Sequence, residues 1–242
     1  MIRLLAAICL VWVASHAAAV ECGEITYDGN RYAVCEVDAT NQDLRLFLRD
    51  ENEAVIGHFS RLGQMLAQTG QSLSFAMNAG MYHSDRSPVG HYVEDGIEEM
   101  RVVPNAGPGN FGLLPNGIFC IRNARADVIE TRAFQKRAPD CTHATQSGPM
   151  LVIDGALHPR FLADSTSRYV RNGVGTSADG SRAVFVISRN AVTFHEFGSL
   201  FRDHLKLPNA LYFDGNVSRL YAPSINRNDP GFRMGPIVGV VE

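Results

Sequence analysis

Four polar residues stand where apolar runs stop. Asn78 follows LSFAM, Ser147 precedes GPMLVID, Arg171 opens RNGVG and Asp214 follows ALYF. Rigid strands hold whatever leaves their ends, so reactive groups are commonly placed there. Glycine lies close to three of the four, as Gly80, Gly148 and Gly215, and a missing side chain lets backbone approach a ligand closely. Asp214 has two readings. Asp-Gly is ordinary turn chemistry. A carboxylate at the lip of a cleft is instead a nucleophile or a base.

Other sources of chemistry are missing. The chain has no G-x-S-x-G, no H-E-x-x-H, no P-loop and no placed G-x-G-x-x-G. Its histidines are scattered: His83 and His91 share one loop, and His143 and His158 flank a strand. They read as ordinary polar residues. No C-x-x-C pair is present, so the cysteines do not read as a metal site.

The elements that must position the four residues follow from periodicity. LRLFL, LSFAM, IEEMRVV, GIFCI, DVIETRAF, PMLVIDGALH and RAVFVIS read as strands separated by Asn-Gly, Asp-Gly and similar turns. AVTFHEF is expected to pair with RAVFVIS through the Ser188-Arg189-Asn190 turn. Two stretches carry helical spacing. One lies within residues 53–70, with Val55, Ile56, Phe59, Leu62 and Leu66 on a face and Gly70 as a stop. The other uses Phe197, Leu200, Phe201 and Leu205. Residues 81–116 and 226–236 are loop-like, and IVGVV reads as a closing strand. There is no repeat, no linker and no regular βα alternation, so the expectation is one α+β domain, strand-rich, with two main helices.

The start of the chain reads differently. Arg3 precedes an apolar run from Leu4 to Ala14, and Ala17-Ala18-Ala19 forms an A-x-A site. This is the pattern of a secretory signal peptide over residues 1–19, with the mature domain over residues 20–242. The run is too short to span a bilayer comfortably. The product is therefore expected to be secreted or periplasmic, with no membrane span in the mature chain. A net charge of -3 gives no basic stripe for nucleic acid.

Four cysteines follow the leader: Cys22, Cys35, Cys120 and Cys141. In CGEITYDGNRYAVC the Asp28-Gly29 pair is a two-residue hairpin turn. That turn sets Tyr27 opposite Asn30 and, five steps out, Cys22 opposite Cys35. The alternation of pair types makes this a non-hydrogen-bonded pair, where strands approach most closely and a disulfide fits. By elimination, Cys120 pairs with Cys141.

The ordered series NAGMY, NFGLLPNGIF, QSGPMLVIDG, RNGVG with SADG, and NALYFDGNVS resembles the phosphodiester glycosidase domain family. The resemblance runs from about Asn78 to Ser218. The family's N-[AG]-G-F-F element falls on Asn78 to Tyr82, with Met81-Tyr82 in place of the aromatic pair. Its S-G element falls on Ser147-Gly148 and its R-T-x-[IV]-G element on Arg171 to Gly175. Its L-D-G-G-G-S element falls on Phe213 to Ser218, with Asn216-Val217 replacing two glycines.

The resemblance implies hydrolysis of a sugar-1-phosphodiester at the sugar–oxygen bond. It implies Asp214 as the catalytic carboxylate and Arg171 on the phosphate, where a guanidinium grips oxygens in pairs. Asn78, Gly80, Ser147, Gly148, Gly215 and Ser218 are the implied substrate-binding residues. Asp85 and Asp95 are candidates for a second carboxylate and equally candidates for plain turn residues. The expected partner is a sugar-phosphate diester or glycan. No cofactor is implied, and no ligand spacing supports a metal, although a divalent ion bridging Asp214 and loop carboxylates stays open. Two rival readings are a binding module that has lost catalysis, suggested by the altered DGNVS turn, and a phosphodiesterase that cuts the P–O bond.

Overall fold

The computed structural model describes residues 20–242. The leader expected over residues 1–19 lies outside them. Among the described residues every strand pairing is antiparallel, and the strands form three open sheets, one of seven strands and two of five. No helix among them is long and apolar enough to cross a membrane.

The three sheets turn one face each to a common core. Along Arg182–Ser188, in the seven-stranded sheet, Ala183, Phe185 and Ile187 point into that core while Val184 and Val186 point the other way. Leu73–Asn78, in the first five-stranded sheet, sends Phe75 and Met77 inward. Gly117–Arg122, in the second, sends Phe119 and Ile121 inward. This is the period-two alternation of a strand. The runs look uniformly apolar because both faces are covered. Rings tie the sheets together: the Phe75 and Phe185 centroids are 4.8 Å apart, Phe119 and Phe185 5.7 Å, and Phe119 and Phe213 6.2 Å.

Each outer face has its own helix. Helix α1 (Phe59–Gln68) lays Phe59, Leu62 and Leu66 on the first five-stranded sheet. Helix α2 (Thr131–Arg137) lays Phe134 on the second. Helix α3 (Phe194–Ser199), prolonged by a π-helical turn over Leu200–His204, lays Phe197, Leu200 and Phe201 on the seven-stranded sheet. The α+β class and the two expected helices hold, and α2 is added to them.

Three local expectations need correction. AVTFHEF is no strand: Thr193 accepts from the Glu196 amide and Glu196 returns the bond to the Thr193 amide, so a capping box starts α3. DVIETRAF is a strand only to Glu130, whose carboxylate caps the Ala133 amide and starts α2. The first helix begins at Phe59 because Gly57, at φ 69°, breaks the backbone before it.

IVGVV is not a closing edge. Ile237–Val241 lies between Leu73–Asn78 and Asp43–Phe47 and pairs with both. The hairpin register is as the turn requires, with Tyr27 opposite Asn30 and Cys22 opposite Cys35. Both disulfides are present, and the Cα atoms of Cys22 and Cys35 are 4.0 Å apart.

The Cys120–Cys141 bond closes a loop of 21 residues across the second five-stranded sheet. Replacing both cysteines by alanine is expected to lower unfolding free energy by about 3 kcal/mol, read as a lower urea midpoint. A midpoint equal to the parent's would mean that the bond constrains nothing.

Candidate active site

The apolar strand Asn209–Tyr212 runs between Met150–Ile153 and Asn172–Thr176. Beyond it the chain leaves the seven-stranded sheet. The Phe213 amide donates to the Asn172 carbonyl (3.1 Å), and the Asp214 amide donates to the Ala79 carbonyl (3.2 Å), which lies just past the end of Leu73–Asn78. Asp214 therefore sits where two sheets meet.

Two buried amides hold it there. Asn78 Nδ2 donates to the Asp214 carbonyl (2.9 Å) and to Asn172 Oδ1 (3.1 Å). Asn172 Nδ2 donates to the same Asp214 carbonyl (2.8 Å) and to Ser218 Oγ (2.8 Å). Asn78 Oδ1 accepts from the Arg219 amide (2.9 Å), and Ser218 Oγ donates to the Val170 carbonyl (3.2 Å). Asn172 was not singled out from the sequence. The signal was present, since it follows Arg171 directly and heads a strand.

The Asp214 side chain is 8% exposed. Burial raises its pKa; the Asn216 amide (3.0 Å from Oδ1), the Tyr82 hydroxyl and the positive charge of Arg86 offset part of that rise. Tyr82 is fixed by its neighbours. Its ring fills the space a Cβ at Gly235 would need, 2.4 Å away, and the Arg86 guanidinium lies 5.3 Å from its centroid. Burial and the Asp214 charge push the Tyr82 hydroxyl up in turn.

Two cavities share Met81, Asp214 and Asn216 as a common wall. The first, about 520 Å³, is walled by the rings of Phe111, Tyr169, Phe194 and Tyr212 and contains Arg171. The second, about 500 Å³, contains Arg86 and Arg233. Both are in the size range of ligand sites. Asp214 is the one acidic residue lining either of them.

Arg171 reaches the first cavity already engaged. Its Nε donates to the Val192 carbonyl (2.9 Å) and its Nη2 to the Ser167 carbonyl (3.1 Å), and the guanidinium lies 3.6 Å from the Phe194 centroid. Of its nitrogens only Nη1 makes no hydrogen bond to backbone. The Nε–Nη2 edge is therefore occupied, and the two-pronged grip on phosphate expected from the sequence is not available at that edge. What remains is a buried cation held rigid against aromatic rings. Burial lowers its pKa, but a guanidinium keeps its proton in a protein.

The remaining sequence candidates divide. Gly215 lines the first cavity, and a Cβ there would sit 1.4 Å from the Tyr212 hydroxyl. Asn78 and Ser218 lie beneath the site, in the network that holds Asp214. Gly80, Ser147 and Gly148 line neither cavity. A Cβ on Gly80 would meet Thr145 Oγ1 at 2.2 Å, and one on Gly148 would meet Asn116 Cβ at 2.7 Å. Their smallness serves close packing. Ser147 is fully buried, and its hydroxyl has no partner.

Neither candidate for a second carboxylate, Asp85 or Asp95, lines either of these two cavities. Asp85 accepts from the Ser87 amide (3.0 Å) and hydroxyl (2.7 Å) in an exposed turn, and Asp95 sits at φ 50° in the turn between Tyr92–Glu94 and Ile97–Met100. Among the described residues no group of three or more His, Cys, Asp or Glu side chains is placed to hold a metal ion.

A strand-rich α+β scaffold with a lone buried carboxylate between two cationic cavities defines a class that the comparisons identify. The chain belongs to the phosphodiester glycosidase family, whose model matches residues 71–240. Membership supports a hydrolase of that kind. Among curated proteins, the uncharacterized protein YigE of Escherichia coli (strain K12) is 31% identical over 185 residues, which is 76% of this chain and 72% of that protein. Among solved structures, the fold is similar to the catalytic domain of zebrafish N-acetylglucosamine-1-phosphodiester alpha-N-acetylglucosaminidase, auto-inhibited by its pro-peptide. There the TM-score is 0.61 at 12% identity, covering 91% of this chain and 81% of that one. A putative exported protein from Burkholderia pseudomallei K96243 is similar at TM-score 0.58 and 12% identity, covering 87% of this chain and 74% of that one. At such identities the structural likeness speaks to the fold.

Two outcomes follow from the burial of Asp214. The raised pKa means that the folded state disfavours the ionised form, so stability present at low pH is lost as pH rises through the folded pKa. Asp214→Asn is thus expected to melt above the parent at neutral pH, with the difference shrinking in acid. Equal melting at all pH values would show that the carboxylate is not desolvated. Asn78→Ala leaves the buried Arg219 amide without its acceptor and removes one of the two amides on the Asp214 carbonyl. The expected cost is about 1–3 kcal/mol, measured by denaturant unfolding.

Proposed function

We propose that the protein hydrolyses a sugar-1-phosphodiester at the sugar–oxygen bond, with Asp214 as the reacting carboxylate. The observation that carries this reading is the isolation of Asp214: one buried carboxylate, anchored through its backbone and common to both cavities. Most glycosidases need two carboxylates, one to protonate the leaving oxygen and one to meet the developing oxocarbenium ion. The departing phosphate monoester dianion is a weak base, with a second pKa of about 6, so the first of these is dispensable. A site with one carboxylate and several cations suits such a leaving group.

The bond between the anomeric carbon and the phosphate oxygen breaks, and its electron pair goes to the phosphate. Asp214 either bonds to the anomeric carbon and is displaced by water, or takes a proton from the water that attacks it. Water supplies the hydroxyl of the free sugar, and the other product is the phosphate monoester. The Asn216 amide and Tyr82 hydroxyl orient the carboxylate. Arg171 supplies a fixed charge to the first cavity, beside the Tyr212 hydroxyl that accepts from it. The printed name of the zebrafish relative makes an N-acetylglucosamine-1-phosphodiester the first substrate to try. Export through a cleaved leader completes the reading, and two disulfides suit an extracellular or lumenal setting.

Hydrolysis in oxygen-18 water tests the bond cleaved. Label in the sugar is expected, whereas label in the phosphate would assign the protein to P–O cleavage. On the same substrate Asp214→Asn is expected to lose about three orders of magnitude in turnover, on the scale of preorganised electrostatic groups. Near-parental turnover would return Asp214 to the role of a turn residue. The acid limb of kcat/KM is expected above the ordinary aspartate range, because the reacting form is ionised and burial raises the pKa. A limb in the normal range would remove Asp214 from the rate.

A further inference from the structure

We propose that the second cavity is the subsite for the phosphate and the group esterified to it, with Arg86 and Arg233 as the anion-binding residues, while the sugar occupies the ring-walled first cavity. This rests on the reading of Asp214 as the carboxylate at the anomeric carbon, since Asp214 stands on the wall between the two.

The two cavities differ in what they offer an anion. Arg171 in the first is stacked and bonded to backbone through Nε and Nη2. The rings of Phe111, Tyr169 and Tyr212 line the same cavity, an aromatic wall that suits the apolar face of a sugar ring. In the second cavity neither arginine is neutralised. Arg86 and Arg233 make no ion pair with any carboxylate among the described residues, unlike Arg45 with Asp43 and Arg182 with Glu36.

Arg86 is also held in a costly conformation. Its φ of 78° is a left-handed conformation that a side chain of this kind avoids. Its Nε is buried without a hydrogen-bond partner. Its Nη1 donates to the Ser84 carbonyl (2.7 Å), which fixes the plane and leaves Nη2 as the accessible donor without a hydrogen bond among the described residues. A guanidinium held in this way offers a charge-assisted hydrogen bond to a phosphate oxygen. Arg233 is anchored the same way, through Nη2 to the Val55 carbonyl (2.6 Å), with its stem over Gly57. Phe232, 87% exposed, lines the same cavity, and Arg219 Nη1 holds its carbonyl at 2.8 Å. An exposed ring on an anchored backbone, next to two unpaired guanidiniums, fits the alcohol portion beyond the phosphate.

The test compares two substrates with one sugar, an N-acetylglucosamine-1-phosphodiester and the corresponding glycosyl fluoride, which has no phosphate. For Arg86→Gln and Arg233→Gln the ratio of kcat/KM on the phosphodiester to that on the fluoride is expected to fall at least tenfold. A ratio that stays at the parental value in both variants, while Arg171→Lys lowers it, would place the phosphate in the first cavity and overturn the assignment. Should Arg86→Gln fail to fold, Arg86→Lys keeps the charge, removes the anchored Nη2 donor and carries the same expectation. If the parent cleaves neither substrate, the reading of the reaction fails, and calorimetric titration with inorganic phosphate still decides the subsite. Phosphate affinity weakened at least tenfold by either glutamine variant supports it; affinity indifferent to both overturns it.

Discussion

The doubly donated carbonyl of Asp214 is the constraint on which the site rests. At this point the chain passes from the seven-stranded sheet to a five-stranded one, and neither ladder extends far enough to satisfy the backbone between them. A buried carbonyl without a partner is costly. The amides of Asn78 and Asn172 both supply one, and each reaches on to a neighbour, Asn172 for one and Ser218 for the other. Asn78 also accepts from the Arg219 amide, so the Arg219 backbone is fixed by the same network. Asp214 can carry an awkward buried charge because its main chain has no freedom to swing that charge toward water.

The architecture and the site were legible in the sequence to different degrees. Period-two runs located nearly every strand, because a strand between two covered faces must be apolar along its length. The Asp28-Gly29 turn located one disulfide, because a two-residue turn leaves a single register. Strand ends pointed to Asp214, Arg171 and Asn78. What each does there was hidden, because function depends on which hydrogen bonds the fold completes first. Asn78 and Ser218 resemble ligand-binding residues in one dimension and are anchors in three. Arg171 resembles a phosphate clamp until Val192, 21 residues on, and Ser167, four residues back, present their carbonyls. The aromatic walls were invisible for a similar reason. Phe194, Tyr169 and Tyr212 come from separate segments and share no spacing.

Charge placement separates scaffold from site. Exposed ion pairs such as Arg45–Asp43 and Arg182–Glu36 contribute little net stability. The buried arginines are instead held by carbonyls: Arg171 by Val192 and Ser167, and Arg219 by Asp229 and Phe232. A carbonyl orients a guanidinium without cancelling its charge, so the field around Asp214 stays positive. An acidic side chain in such a field is drawn toward its ionised form while burial resists, and the two tendencies meet at the same atoms.

The inner position of Ile237–Val241 sets an order on assembly. A chain is delivered from its N-terminus, whether by a ribosome or through a translocation pore. Until residue 241 arrives, Leu73–Asn78 lacks one neighbour and Asp43–Phe47 lacks the one strand it pairs with among the described residues. Ile237 pairs with Asn78, so the anchor of the carboxylate is among the last parts to be locked. Pairings this distant along the chain form slowly. The hydrogen bonds that anchor Asp214 are therefore completed only when nearly the whole domain has been made.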